Sequence, residues 1–265
     1  MRTDATWREH LELLLDVVEQ LAPGAILAVY LHGSRAQGTA LPDSDVDLTV
    51  VVDGTNALKD VDSFLRGRSL PSGETLDAHV DTIHMLCDPL YALVSSHVKH
   101  SGRLIRGQDV RDRLPGTDHA AYRAALVDQA CKGIAMLRDA DRVEAPLEVP
   151  EASMPFYGYE TVRKTGWYSA DVREGTKELV AVATFCASAW VTSRELVFIN
   201  SKTEAVAAIR RSENGSRANI VESIFELCRE RYQGGVPTDA SDRRALRDIL
   251  PGFLELEREV LTLRA

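Results

Sequence analysis

Residues 25–52 constrain the fold more than any other part of the chain, because they hold two apolar runs joined by a short polar connection. Ala25 to Leu31 predicts a buried β-strand, and Val46 to Val52 predicts a neighbouring strand. The connection begins with Gly33-Ser34, continues as a short polar helical stretch and ends in the turn Pro42-Asp43-Ser44. The pattern therefore predicts a sheet with a polar corner between two of its strands.

Two carboxylates stand where the second strand begins. Asp45 and Asp47 are two residues apart, so in a strand their side chains point to the same face. Like charges at that distance repel, and the pair adds little to a fold unless a cation lies between them. Mg²⁺ prefers oxygen ligands and retains waters that a phosphate group can replace. We therefore predict Asp45 and Asp47 as metal ligands; the alternative is a helix cap followed by two solvated aspartates.

The Gly33-Ser34 pair predicts a phosphate contact next to these carboxylates. Gly33 has no Cβ, which lets a bulky anion approach the backbone. Ser34 offers a hydroxyl group and N–H groups at the start of a helix, where phosphate is favoured. A phosphate cradle and metal-binding carboxylates therefore fall within one short span.

These residues resemble a known signature. Gly33-Ser34, ten further residues and Asp45-Val46-Asp47, flanked by two strands, are similar to the Gly-Ser…Asp-x-Asp motif of the DNA polymerase β-like nucleotidyltransferase superfamily. The resemblance implies transfer of a nucleoside monophosphate from an NTP, with ATP as co-substrate and two Mg²⁺ ions. It also implies nucleotide contacts from Gly33, Ser34 and Ser44.

A third carboxylate is expected on the next strand, predicted over Ala78 to Leu86, where the family has one. Asp81 is our choice as metal ligand and as base toward an incoming hydroxyl, because it is embedded among apolar residues. Asp77, four residues earlier and on the same face, is the competing candidate. The catalytic set expected from the sequence is thus Asp45, Asp47 and Asp81.

Other polar residues near this region have a structural and a functional interpretation. His32, His79 and His84 are either metal ligands or bases, or hydrogen-bonded structural residues, and the second is the commoner role of strand histidines. Arg103 and Arg106, in a Gly-x-Leu-x-x-Gly segment, contact either a triphosphate or solvent, and we favour solvent.

The chain changes character at Leu114-Pro115-Gly116-Thr117-Asp118, the best domain boundary in the sequence. After it, apolar residues recur at helical spacing, and the stretch from Thr176 to Leu196 is apolar almost all round. We predict an α+β protein: a nucleotidyltransferase domain over residues 1–114, with a small mixed β-sheet flanked by helices, and an all-α helical bundle over 119–265.

This arrangement resembles the aminoglycoside nucleotidyltransferases of the streptomycin/spectinomycin adenylyltransferase type. In that family a lysine that opens a helix after a long apolar one reaches the nucleotide phosphates, and Ser201-Lys202 matches this context. The alternative is a solvated lysine in a capped helix. The family also has an arginine in the preceding helix, whereas residues 183–190 contain none.

The acceptor site predicted from the sequence is an acidic, aromatic wall in the long segment from Val143 to Gly175. An equally simple interpretation is a solvated loop with core aromatics. The residues concerned are Glu148, Glu151, Glu160, Asp171, Tyr157, Tyr159 and Trp167.

Composition narrows the class of partner. A net charge of −9 in 265 residues disfavours a broad nucleic-acid-binding surface and suits a cationic small molecule. No run of 18 apolar residues occurs, so we expect a cytoplasmic protein without a membrane span. We also expect a monomer or a homodimer. Two alternatives remain at this stage: an antitoxin-like nucleotidyltransferase that modifies a protein or RNA, and a non-catalytic nucleotide-binding regulator.

Overall fold

The computed structural model describes residues 4–41, 44–138, 161–162, 173–213 and 215–264. The chain divides into two compact units, with the change from the first to the second between Asp118 and His119.

The first unit is built around a mixed four-stranded sheet with the strand order β3-β2-β1-β4. β1 pairs antiparallel with both β2 and β4, whereas β2 pairs parallel with β3. The strands are β1 (Ile26–Leu31), β2 (Val46–Val52), β3 (Leu76–Thr82) and β4 (Arg103–Gly107). The helices are α1 (Asp4–Leu21), α2 (Gly33–Gln37), α3 (Thr55–Leu65), α4 (Ile83–Leu86) and α5 (Ala92–His100). The predicted fold class is confirmed for this part of the chain.

The two faces of this sheet follow from the alternation along β2. Its even-numbered residues are all buried in a core that also contains apolar residues of α1 and α3, such as Leu15 and Leu65. The odd-numbered residues point to the opposite face, where Val51 packs with Tyr30 and with Val98 of α5. Asp45 precedes β2 in the same alternation as Asp47, so both aspartates belong to this second face.

The second unit is helical. Its helices are α6 (His119–Leu137), α7 (Lys177–Thr192), α8 (Lys202–Ser212), α9 (Ser216–Ile224) and α10 (Ala240–Thr262), with a π-helical segment at Phe225–Arg231. Two short strands, β5 (Thr161–Val162) and β6 (Arg173–Glu174), pair antiparallel. α7 is buried on most of its circumference, as its apolar sequence predicts. Within the described ranges, no helix is both long and apolar enough to cross a membrane.

A buried ion pair joins α10 to the C-terminal end of α6. Arg138 donates from Nη2 to Glu257 Oε2 at 2.5 Å and from Nη1 to Glu257 Oε1 at 3.2 Å. The Glu257 side chain is fully buried, so its charge has left water, and the Arg138 guanidinium compensates it. The pair therefore fixes how these helices pack, and its loss leaves a charge in the core.

We predict that Arg138→Ala lowers the free energy of unfolding by about 3 kcal/mol, because the buried Glu257 carboxylate loses the charge and the two hydrogen bonds of the Arg138 guanidinium. Lys132→Ala is the matched control, since Lys132 forms an exposed pair with Asp128 on the same helix. Its loss is expected to cost less than about 0.5 kcal/mol. Urea unfolding at pH 7 measures both, and equal losses would contradict the role given to the buried pair.

Candidate active site

Three aspartates converge at the start of β2 and β3. Asp45, Asp47 and Asp77 each place one carboxylate oxygen within 4.8 Å of the other two, and all three side chains are half-buried. Like charges this close repel, and a divalent cation with oxygen ligands relieves that repulsion. Among the described residues, this is the group of acidic, histidine or cysteine side chains that lies close enough together to hold a metal ion.

The pairing register explains why Asp77 completes this group and Asp81 does not. In the parallel ladder, Asp47 lies opposite Asp77, and Val51 lies opposite Asp81. Asp81 shares the face of Asp77 but stands four residues further along the strand, roughly 13 Å at 3.3 Å per residue. The structure therefore groups the competing candidate, Asp77, with Asp45 and Asp47, whereas Asp81, the candidate preferred from the sequence, lies apart from them.

Asp81 is instead a buried carboxyl group, 4% exposed. Burial raises the pKa of Asp81 to about 6, with a further rise from the charge of Asp62 and an opposing effect of His79. Its Oδ2 atom is buried without a hydrogen-bond partner among the described residues. The apolar sequence around Asp81 thus reflects the burial of this residue, which lies apart from the cluster of Asp45, Asp47 and Asp77.

Gly33 lies directly against the Asp47 carboxylate. Its φ is +60°, in the left-handed region that favours glycine, and a Cβ there would be 1.9 Å from Asp47 Oδ2. The absence of a side chain at 33 therefore makes room for the Asp47 carboxylate. The backbone N–H of His32 donates to the Asp47 carbonyl at 2.9 Å and holds the corner to β2.

Ser34 is partly exposed in the first turn of α2. Because α2 has only five residues, its dipole is small, and the Ser34 hydroxyl and the N–H groups of the first turn are what this corner offers a phosphate. Ser44 is buried, and its hydroxyl accepts a hydrogen bond from the Leu41 N–H at 2.9 Å. Ser44 therefore closes the turn that leads into Asp45.

The structure adds one residue that the sequence did not single out. The buried Arg35 donates from Nε to the Asp45 carbonyl at 3.0 Å and from Nη2 to the Ser44 carbonyl at 2.6 Å. Its Nη2 is also 3.8 Å from Glu74 Oε1, just before β3, and its guanidinium lies over the Trp7 ring. Arg35 therefore holds together the segments that carry the carboxylates. An arginine in a short polar helix gives no sequence signal for such a role.

The three histidines occupy different environments. His32 is buried, its Nε2 is 2.9 Å from Thr49 Oγ1, and burial, followed by the charges of His97 and His79, lowers its pKa to about 3. It is a neutral, structural residue at neutral pH. His79 is exposed on β3, opposite Thr49, and His84 is exposed on α4.

The remaining candidates are placed as follows. Arg106 donates to Glu12 and Asp16 of α1, both at 2.7 Å, and Arg103 is exposed, so neither contradicts the preference for a surface role. Lys202 opens α8 in the second unit, where the Ser201 hydroxyl caps the helix by accepting from the Glu204 N–H. The predicted acidic and aromatic wall lies outside the described residues.

The comparisons with known proteins agree with this geometry. Residues 11–98 match the family model of the nucleotidyltransferase domain, and this range contains the glycine-serine corner and all three aspartates. The chain therefore contains a nucleotidyltransferase domain, which supports a transferase of the class that moves nucleotidyl groups. Among curated proteins no sequence matches it.

A solved structure extends the likeness to both units. The chain is similar in fold to the spectinomycin adenyltransferase AAD(9) from Enterococcus faecialis, crystallised with ATP and spectinomycin. The TM-score is 0.54 at 10% sequence identity, over 94% of this chain and 99% of that one. The fold thus resembles that of the aminoglycoside adenylyltransferases, as the sequence motifs suggested.

We predict that Gly33→Ala lowers activity by at least about 100-fold, because the new Cβ displaces the Asp47 carboxylate. Gly38→Ala is the matched control: φ there is +73°, but a Cβ meets nothing within 4 Å. Both variants are expected to lose about 1 kcal/mol of stability from backbone strain. Steady-state rates with thermal unfolding separate the two effects, and a Gly33→Ala enzyme as active as Gly38→Ala would oppose this assignment.

A second prediction distinguishes the two candidate acids. Asp77→Asn is expected to lower turnover by at least about 100-fold, and Asp81→Asn to change it by less than about threefold. The rates are compared at saturating nucleotide with an accepted substrate. The reverse order would restore Asp81 as the catalytic base.

The buried Asp81 also predicts a pH dependence of stability. Its pKa is about 6 in the folded protein and 3.8 ordinarily, so the folded state binds this proton more tightly and the free energy of unfolding falls as pH rises between those values. At pH 7, Asp81→Asn should therefore stabilise the protein by about 2 kcal/mol, a gain that disappears below pH 4. Urea unfolding from pH 3.5 to 7.5 tests this, and a gain that does not vary with pH would contradict it.

Proposed function

We propose that this enzyme transfers AMP from ATP to a hydroxyl group of a small, cationic, aminoglycoside-like acceptor and releases pyrophosphate. The observation that carries the proposal is the convergence of Asp45, Asp47 and Asp77 beside the Gly33-Ser34 corner, inside a nucleotidyltransferase domain. The fold neighbour was crystallised with ATP and spectinomycin, which supports this choice of donor and class of acceptor.

The donor set of the three aspartates fits Mg²⁺, since it consists of carboxylate oxygens that are partly open to solvent. We propose that Asp45 and Asp47 hold two Mg²⁺ ions and that Asp77 contributes a further oxygen. When bound, the metal ions neutralise phosphate charge and stabilise the attacking and leaving oxygens. Arg35 holds the Ser44–Asp45 backbone, so these ligands are oriented before substrate arrives.

In the proposed reaction the acceptor oxygen attacks the α-phosphorus of ATP in line with the bond that breaks. Asp77 takes the proton of the hydroxyl group as the new P–O bond forms, and pyrophosphate leaves with the electron pair of the old one. The Ser34 hydroxyl and the N–H groups of the corner contact the β- and γ-phosphates. Because Gly33 has no side chain, the Asp47 carboxylate can keep its position against the backbone of the corner during the step.

Two further residues are assigned to the nucleotide by resemblance. Lys202, at the first position of α8, is proposed to contact the triphosphate, where a positive charge adds to the positive end of the helix. Ser44 is proposed to support the nucleotide site from the turn that it closes. The net charge of −9 favours the approach of a cationic acceptor.

The test is incubation of the protein with ATP, Mg²⁺ and a panel of aminoglycosides, spectinomycin and lincosamides, followed by mass spectrometry. We expect one acceptor to gain the mass of a single AMP, with release of one pyrophosphate. Asp47→Asn, which removes a proposed metal ligand, should retain less than about a tenth of the wild-type rate and an unchanged circular dichroism spectrum.

Two outcomes would contradict the proposal. Turnover by Asp47→Asn above about a tenth of the wild-type rate would refute the metal role of that residue. Failure of every small molecule, together with labelling of a protein or RNA by radioactive ATP, would move the enzyme to the class that modifies macromolecules.

A further inference from the structure

The face of the sheet that carries the aspartates continues past them with a second row of polar side chains. On β2 the row holds Thr49, and on β3 it holds His79, directly opposite in the parallel ladder. Each stands two residues beyond an aspartate of the candidate site, so all four side chains point to the same face. Thr49 is 2% exposed, whereas His79 is exposed.

The groups around His79 are themselves buried. His32 is 6% exposed and lies 2.9 Å from Thr49 Oγ1, and its ring centroid is 6.0 Å from that of His97 on α5. Asp81, the next residue of β3 on this face, is 4% exposed. Beside Thr49, His32 and Asp81, which are buried, His79 is therefore exposed to solvent.

The order of the strands indicates on which side of the reacting phosphorus atom His79 lies. The Gly33-Ser34 corner follows β1, which lies on one side of β2, whereas β3 lies on the other. In an in-line displacement the incoming oxygen and the leaving group occupy opposite sides of the phosphorus atom. With the β- and γ-phosphates at the corner after β1, the acceptor approaches from the side of β3, where Asp77 and His79 stand.

We propose that His79 contacts the acceptor molecule and positions its hydroxyl group beside Asp77. An imidazole has one donor and one acceptor nitrogen when neutral, which suits a hydroxyl or amino group of a polyhydroxylated, amine-bearing acceptor. This inference rests on the proposed function and adds a residue that determines how the acceptor is bound.

The experiment compares His79→Ala and His79→Asn with wild type and with His84→Asn, a change of an exposed histidine on α4. Initial rates are measured while acceptor and ATP are varied separately, using the acceptor that gains AMP in the mass assay. We expect His79→Ala to raise KM for the acceptor about tenfold, which is the change in affinity expected when one hydrogen bond is lost. KM for ATP should stay within about twofold of the wild-type value. His79→Asn, which keeps a donor and an acceptor, should recover part of the loss, and His84→Asn should match wild type.

Thermal unfolding of each variant identifies a general loss of structure, since a purely structural role would lower stability and change both KM values together. A His79→Ala enzyme with an unchanged KM for the acceptor, or with equal rises in both KM values, would overturn the inference while the proposed function stands. If wild type transfers AMP to no small acceptor, the proposed function itself fails, and the assignment of His79 fails with it.

Discussion

The parallel pairing of β2 with β3 is the constraint on which the rest of the candidate site depends. It sets Asp47 opposite Asp77 and Thr49 opposite His79, so that two consecutive rows of side chains on one face carry the polar chemistry. A register shift of one residue would turn the β3 side chains to the apolar core on the other face. The buried even-numbered residues of β2, packed against α1 and α3, therefore also keep the aspartates in place.

Much of this arrangement could be predicted from local sequence. The spacing of Asp45 and Asp47, the Gly33-Ser34 corner and the two apolar runs lie within one short segment, and strand periodicity alone puts both carboxylates on one face. The apolar, helical pattern of residues 176–196 likewise predicted a buried helix, which the structure has as α7. Such features depend on neighbours along the chain.

The third aspartate could not be chosen in this way, because the choice depends on a register between strands that are distant in sequence. Asp77 and Asp81 have the same parity and both belong to β3, so periodicity does not distinguish them. The apolar residues around Asp81 in the sequence reflect its burial and do not distinguish it from Asp77 as a ligand. The role of Arg35 could not be predicted, because its contacts come together only when the sheet has formed. These contacts are with Trp7, the Ser44–Asp45 backbone and Glu74.

The strand order also determines how many neighbouring strands support each part of the site. β2, which carries Asp47, has a neighbouring strand on each side, whereas β3, which carries Asp77, is the outermost strand of the sheet. At its start, Leu76 donates to the Arg68 carbonyl on the outer side at 2.9 Å. Asp45 and Asp47, two of the three proposed cation ligands, are thus anchored in the middle of the sheet. The part proposed to meet the incoming alcohol lies on the edge strand, so a displacement there would disturb one strand ladder rather than two.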